Sequence, residues 1–144
     1  SIREKICELI RQAELICYPM GSFYSSLVAN LLPKGVGQAI AENDCPKVYI
    51  PNTGHDPEQL HMSLTDSVAA LLDYLRKSAQ SDVPTEKLLH FVLLDTHVQR
   101  YAHSVDLSAL RNMGVDVIRM PLVDGPDSVD LSGEHLIKVL LSLV

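Results

Sequence analysis

The sequence has no tryptophan and only two phenylalanines, so its aromatic content rests on five tyrosines. It has no basic run. Twelve lysines and arginines face eighteen acidic residues, for a formal net charge of -6. Without clustered cations to neutralise phosphates, a nucleic-acid-binding role is excluded. No apolar stretch reaches the roughly 20 residues of a membrane-spanning helix, and no secretory signal is present, so no membrane partner is expected. Cysteines are few: Cys7, Cys17 and Cys45. Their number is odd and they form no C-x-x-C pair or zinc-type spacing, which predicts reduced, mostly buried thiols in a cytoplasmic protein. Two catalytic signatures are missing. A Walker loop would need a lysine after its glycines, and Ser22 sits in Met20-Gly21-Ser22-Phe23-Tyr24 rather than in G-x-S-x-G. Without that elbow, pairing His97 or His135 with Asp95 or Asp124 makes no serine-hydrolase triad. Small anions stay open as ligands, because backbone N–H groups bind them without net positive charge.

What is present suits one domain: 144 residues, 47% hydrophobic and 21% charged. Ile2, Ile6, Leu9, Ile10 and Ala13 share one face of a helix over 2–13. Leu15 to Tyr18 is a short apolar run ended by Pro19, the pattern of a strand covered on both faces. Helices are predicted over 25–32 and 36–42, and strands over 47–50, 91–94 and 115–118. Ser63 with Asp66 three residues on starts a helix carrying Val68, Leu71, Leu72, Leu75 and Ala79 on one face. Leu107 to Met113 is a short helix stopped by Gly114. A last helix over 133–144 has only Glu134, Lys138 and Ser142 as a polar stripe, and is expected to be largely buried. Helices alternating with buried strands, without hairpin turns, predict an open, mostly parallel α/β sheet with helices on both faces, a Rossmann-like three-layer fold.

In such sheets ligands sit beyond the carboxyl ends of the strands. The turn Pro19 to Ser26 falls there. Gly21 allows close backbone approach, and the amides of residues 22–26 are expected to face outward at a helix start, where the macrodipole favours an anion. Ser22, Phe23, Tyr24, Ser25 and Ser26 are therefore ligand candidates with Gly21, the hydroxyls adding donors. N-capping serines and core aromatics would give the same pattern. After the next strand, Asn52, Thr53, His55 and Asp56 meet the same rim, and Asp95 ends the third strand there. An Asx turn and a capping carboxylate are the alternative roles. His55, His61, His97 and His103 match no zinc spacing, so no metal site is expected.

The run "GSFYSSLVANLLPKGVGQAI" followed by "CPKVYIPN" resembles the CofD-like proteins. These comprise 2-phospho-L-lactate transferase and its relatives, including a gluconeogenesis-factor group that binds nucleotide sugars. Gly21, Ser22, Tyr24, Ser26, Asn30, Leu31, Leu32, Gly35 and Val36 match that pattern, as do Pro46, Lys47, Val48, Tyr49 and Asn52. Pro19-Met20 stands where relatives have Gly-Pro, and "NTGHDPEQL" departs from their Thr-Gln-Pro-Gly-Glu. The Gly-Gly-x-Thr-Gly loop that opens family members is absent, and position 1 is a serine. The resemblance therefore implies the C-terminal portion of a longer protein, contributing one wall of a phosphate or nucleotide site. It implies no cofactor in this portion, with a divalent metal in the full-length transferase. The partner it implies is a nucleotide or phosphorylated small molecule. The transferase moves a phospholactyl group from a nucleotide diphosphate to a deazaflavin hydroxyl. A non-catalytic nucleotide-sugar-binding regulator and an oligomerisation domain are the rival readings. The apolar last helix points to a homo-oligomer.

Overall fold

The computed structural model describes residues 1–102, 104–125, 127–128 and 130–144, so the candidate His103 lies outside the described residues. Helix α1, Ile2–Gln12, begins with a reciprocal cap: the Ser1 hydroxyl accepts from the Glu4 amide, and the Glu4 carboxylate reaches back to the Ser1 nitrogen. Strand β1 is Ile16–Tyr18. A π-helical turn, Phe23–Val28, runs into a single α-turn, α2, Ala29–Leu31. Then come α3 (Val36–Glu42), β2 (Lys47–Tyr49), α4 (Leu64–Ala79), β3 (Phe91–Asp95), α5 (Leu107–Asn112), β4 (Asp116–Met120) and α6 (Gly133–Ser142). The predicted capping box at Ser63 and Asp66 opens α4, and Gly114 follows α5 at φ +85°.

The strands form one sheet in the order β1-β2-β3-β4, and every pair is parallel. The fold is the α/β, helix-on-both-faces arrangement that the alternation predicts. Right-handed crossovers taken in sequence order put every connecting helix on one face. The packing agrees. Ile16, Tyr18, Tyr49, Val92, Leu94 and Val117 join one core with α2, α3, α4 and α5. The alternate residues Cys17, Val48, Ile50, Phe91, Leu93 and Ile118 face the other side, where α6 alone of the helices packs, through Leu136, Val139, Leu140 and Leu143. Among the described residues, no helix is long and apolar enough to cross a membrane.

Two elements differ from the sequence expectation. The helix expected from Ser25 begins earlier and wider, because the Ser22 carbonyl accepts from both the Ser26 amide (3.0 Å) and the Leu27 amide (3.2 Å). And α6 is not largely buried. Only Val139 is enclosed, while Ile137 and Leu141 stay 58% and 68% exposed. One helix lying on a sheet can bury only the stripe it turns towards the strands.

The tightest helix contact is between α3 and α4. The Gly37 amide donates to the Ser78 hydroxyl at 2.9 Å, and that hydroxyl donates to the Pro33 carbonyl. A Cβ on Gly37 would lie 2.2 Å from the Leu75 carbonyl oxygen and 2.7 Å from the Ala79 nitrogen, both backbone atoms of α4. The Gly37→Ala variant should therefore exceed the ordinary overpacking cost of about 1–3 kcal/mol. Its thermal midpoint should fall by roughly 10 °C, given about 2–4 °C per kcal/mol at this size. A midpoint within two or three degrees of the parent would refute the close approach.

At the opposite end of the sheet from the site, the Lys47 amide donates to His90 Nδ1 at 3.0 Å. The ring must be neutral at that nitrogen to accept. Burial, then the nearby Lys47 charge, holds the His90 pKa below its usual 6.5. A depressed folded-state pKa means that the unfolded chain takes up the proton more readily. The stability from neutral His90 is then complete above about pH 6.5 and declines as pH falls towards the folded-state value. Urea midpoints between pH 7.5 and 5 should drop less for His90→Gln than for the parent. Equal drops would exclude His90 as a source of the acid sensitivity.

Candidate functional site

Beyond the carboxyl ends of β1 and β2, two loops are tied together by one side chain. The Asn52 carboxamide accepts from the Gly21 amide at 3.0 Å and donates to the Gly21 carbonyl at 2.7 Å. Both backbone groups of one glycine are thus held by one planar amide. Gly21 has φ +146°, a conformation that costs a residue with a Cβ. Between residues 20–22, residues 52–57 and Asp130-Leu131 lies an open cleft of about 490 Å³. Of the ten candidates, Gly21, Ser22, Asn52, Thr53 and His55 line it. Among the described residues, no lysine or arginine does.

The other candidates lie elsewhere. Phe23 is 1% exposed and belongs to the core. The amides expected to face an external anion face carboxylates of this chain instead. Phe23 N–H donates to Asp56 at 2.8 Å, and the Tyr24 and Ser25 amides share one oxygen of Glu58 at 2.7 and 2.9 Å. The second Asp56 oxygen accepts from the Glu58 amide at 3.0 Å, so Asp56 also caps the short turn Pro57–Gln59. The Ser25 hydroxyl first, then the Ser25 and Tyr24 amides, hold the Glu58 carboxyl below the usual range. Glu58 was not among the sequence candidates. The signal available was a facing loop with two acids, Asp56 and Glu58, opposite a helix start that carries no acid of its own.

Tyr24 stands edge-on to Phe23 and to Tyr74, and its hydroxyl meets the Met62 sulfur at 3.7 Å, away from the cleft. Ser26 lines a second, apolar groove, which shares Met20 and Gly21 with the cleft. Asp95 is 2% exposed and forms a different locus. Its carboxylate accepts from the Leu122 amide (2.8 Å) and the His97 amide (2.9 Å), with Arg100 Nε at 3.6 Å. Burial alone would raise its pKa, but these amides and the Arg100 charge hold it below the usual value. The geometry gives Asp95 the capping role. His97 is 3.5 Å from Asp95, whereas His55 and His61 are on the loops around Asp56. Among the described residues, no three histidine, cysteine or carboxylate groups gather to hold a metal ion. The carboxylates that line the cleft are Asp56, each of whose oxygens accepts one amide, and Asp130.

If the Asn52 amide fixes the turn, Asn52→Ala should lower unfolding stability by about 1–3 kcal/mol through two lost hydrogen bonds. Asn52→Asp should not rescue it, because a carboxylate would oppose the Gly21 carbonyl. Urea unfolding of both variants tests this, and an unchanged midpoint for Asn52→Ala would remove the clamp from the account.

The family profile described as "2-phospho-L-lactate transferase CofD" matches residues 1–123. The chain is 29% identical over 143 residues to the "Gluconeogenesis factor" of Bacillus subtilis, covering 93% of this chain and 44% of that protein. It is 26% identical over 139 residues to a "Putative gluconeogenesis factor" of Thermotoga maritima, covering 96% of this chain and 37% of that one. A crystal structure of a Bacillus halodurans protein superposes with a TM-score of 0.75 at 23% identity, over 96% of this chain and 46% of that one. The chain therefore spans less than half the length of these relatives. With the family profile matched across all four strands, the chain belongs to the 2-phospho-L-lactate transferase CofD family.

Proposed function

We propose that the cleft between residues 20–22 and 52–57 is one wall of a binding site for a phosphorylated small molecule of the nucleotide or nucleotide-sugar class. The observation that carries this reading is the Gly21–Asn52 clamp. It fixes a glycine at positive φ at the carboxyl edge of a parallel sheet, where such ligands sit in α/β proteins. The Ser22 hydroxyl and the His55 ring are the polar groups a ligand would meet there. The helix-start amides at 24 and 25 are less available, since a ligand phosphate would have to displace Glu58.

Binding without turnover is the reading that the residues favour for this chain. Among the described residues no lysine or arginine lines the cleft to neutralise a diphosphate in a transfer step, and each Asp56 oxygen accepts an amide. The naming of the relatives as gluconeogenesis factors also favours a regulatory binder over a transferase. Free thiols at all three cysteines support a reducing, cytoplasmic setting.

The test is an amide-resolved NMR titration with nucleoside diphosphates and nucleotide sugars. Shifts should appear at Gly21, Ser22 and His55, and not at Cys45 at the other end of β2. Gly21→Val should weaken binding by about tenfold, equivalent to roughly 1.4 kcal/mol. Ser22→Ala, at an exposed position, should weaken it without touching the fold. No perturbation around Gly21 at millimolar ligand would overturn the proposal.

A further inference from the structure

The third side of the cleft is Asp130 and Leu131, which belong to the connection that follows β4. The base of that connection is closed on itself. Val123 and Leu131 form an antiparallel bridge, and the Ser132 amide donates to the Leu122 carbonyl at 2.6 Å. Its outer part is held from elsewhere, by Arg100 at the end of the short turn Val98–Arg100 after β3. Arg100 Nη1 donates to the Ser128 carbonyl, and Nη2 donates to the Gly125 carbonyl at 3.4 Å. Ser128 passes the hold on. Its hydroxyl accepts from the Asp130 amide at 3.3 Å and donates to the Asp130 carbonyl at 3.4 Å.

The guanidinium is itself fixed. Its Nε lies 3.6 Å from Asp95, and the two side chains are 17% and 3% exposed. The other Asp95 oxygen accepts from the Leu122 amide, so the pair grips the connection at Leu122, Gly125 and Ser128. A mostly buried cation is costly unless it is paired and hydrogen-bonded. Here Asp95 pairs it, and its two terminal nitrogens go to carbonyls of residues outside both apolar cores. Packing on the sheet does not require those two bonds. What they fix is the backbone that carries one wall of the cleft. The planar fork of an arginine can reach a carboxylate and two carbonyls at once, whereas a lysine offers a single point of charge.

We propose that Arg100 is a positioning residue for the cleft. It does not line the cleft itself. By holding the Gly125 and Ser128 carbonyls it sets where Asp130 stands across from Gly21 and Asn52, and with it the width of the cleft and the place of an exposed carboxylate in it. The consequence for affinity rests on the binding reading above, while the placing of Asp130 stands without it. A role confined to neutralising Asp95 needs only the charge, and a lysine would serve. A positioning role needs the fork, and a lysine fails.

The experiment compares the isotope-labelled parent chain with Arg100→Gln, Arg100→Lys and a control, Arg119→Gln, whose arginine donates to the Thr96 carbonyl from an exposed position. Without ligand, the carbonyl-carbon signals of Gly125 and Ser128 and the amide signal of Asp130 should move in both Arg100 variants. Those of Gly37 and Leu71, in the α3–α4 contact, should stay in place. Titrated with adenosine diphosphate and with ADP-glucose, both Arg100 variants should bind about tenfold more weakly than the parent, and the control should match the parent. If the glutamine variant unfolds, the lysine variant carries the test. The proposal is overturned if the Asp130 signal is unmoved, if lysine restores the parent's spectrum and affinity, or if Asp130 moves while affinity is unchanged. A parent that binds neither probe would remove the binding reading instead, and the ligand-free spectra would then decide whether Arg100 places Asp130.

Discussion

The constraint behind this architecture is that four parallel strands are laid down in sequence order. Each step goes the same way, and crossovers of the usual right hand then bring all the connecting helices to one face, where α2, α3, α4 and α5 share one core. That face is thick: α3 and α4 approach so closely that Gly37 has no room for a side chain. The other face receives the chain beyond β4, with Leu15 and Met20 from either side of β1. Among the helices, α6 alone packs there, and it leaves Ile137 and Leu141 in solvent. Thickness on one face and exposure on the other are two results of one topological choice.

The rim of the sheet has a second logic, which is electrostatic. A helix start presents unsatisfied amides and the positive end of a dipole. Here the chain supplies its own anions. Asp56 and Glu58, from the loop after β2, take the amides of Phe23, Tyr24 and Ser25. Asn52 from the same loop takes both backbone groups of Gly21. The loop after β2 is therefore a splint for the loop after β1. The polar surface left to the cleft comes from side chains such as Ser22 and His55, not from the amides at 23–25.

Much of the fold is legible in the sequence because it arises from local periodicity. The runs at 15–18, 48–50 and 91–94 read as buried strands. The face of Val68, Leu71, Leu72 and Leu75 could only be a core helix, and Ser63 with Asp66 marks its start. The exposure of α6 is not legible, for a physical reason. Apolar composition says that a helix can be covered, while coverage depends on how many elements share its side of the sheet. The hydroxyl-rich turn is placed at the sheet's rim by reasoning from strand to helix. Its amides could not be assigned, because their partners lie more than thirty positions away.

The sequence by itself determined the class of the protein: alternating buried strands and amphipathic helices, a glycine turn after the first strand, and the motif run from Gly21 to Asn52 that carries the family likeness. These are properties of neighbouring residues and need no knowledge of what lies across the molecule. Only the tertiary structure decided which of the candidate residues share a cleft. It set Gly21, Ser22, Asn52, Thr53 and His55 together, sent Phe23 to the core, and gave Asp95 to the amides of His97 and Leu122. A hydrogen bond is won by whichever acceptor the fold brings within about 3 Å. That competition is settled by the packing of whole elements, not by the local sequence at either end of the bond.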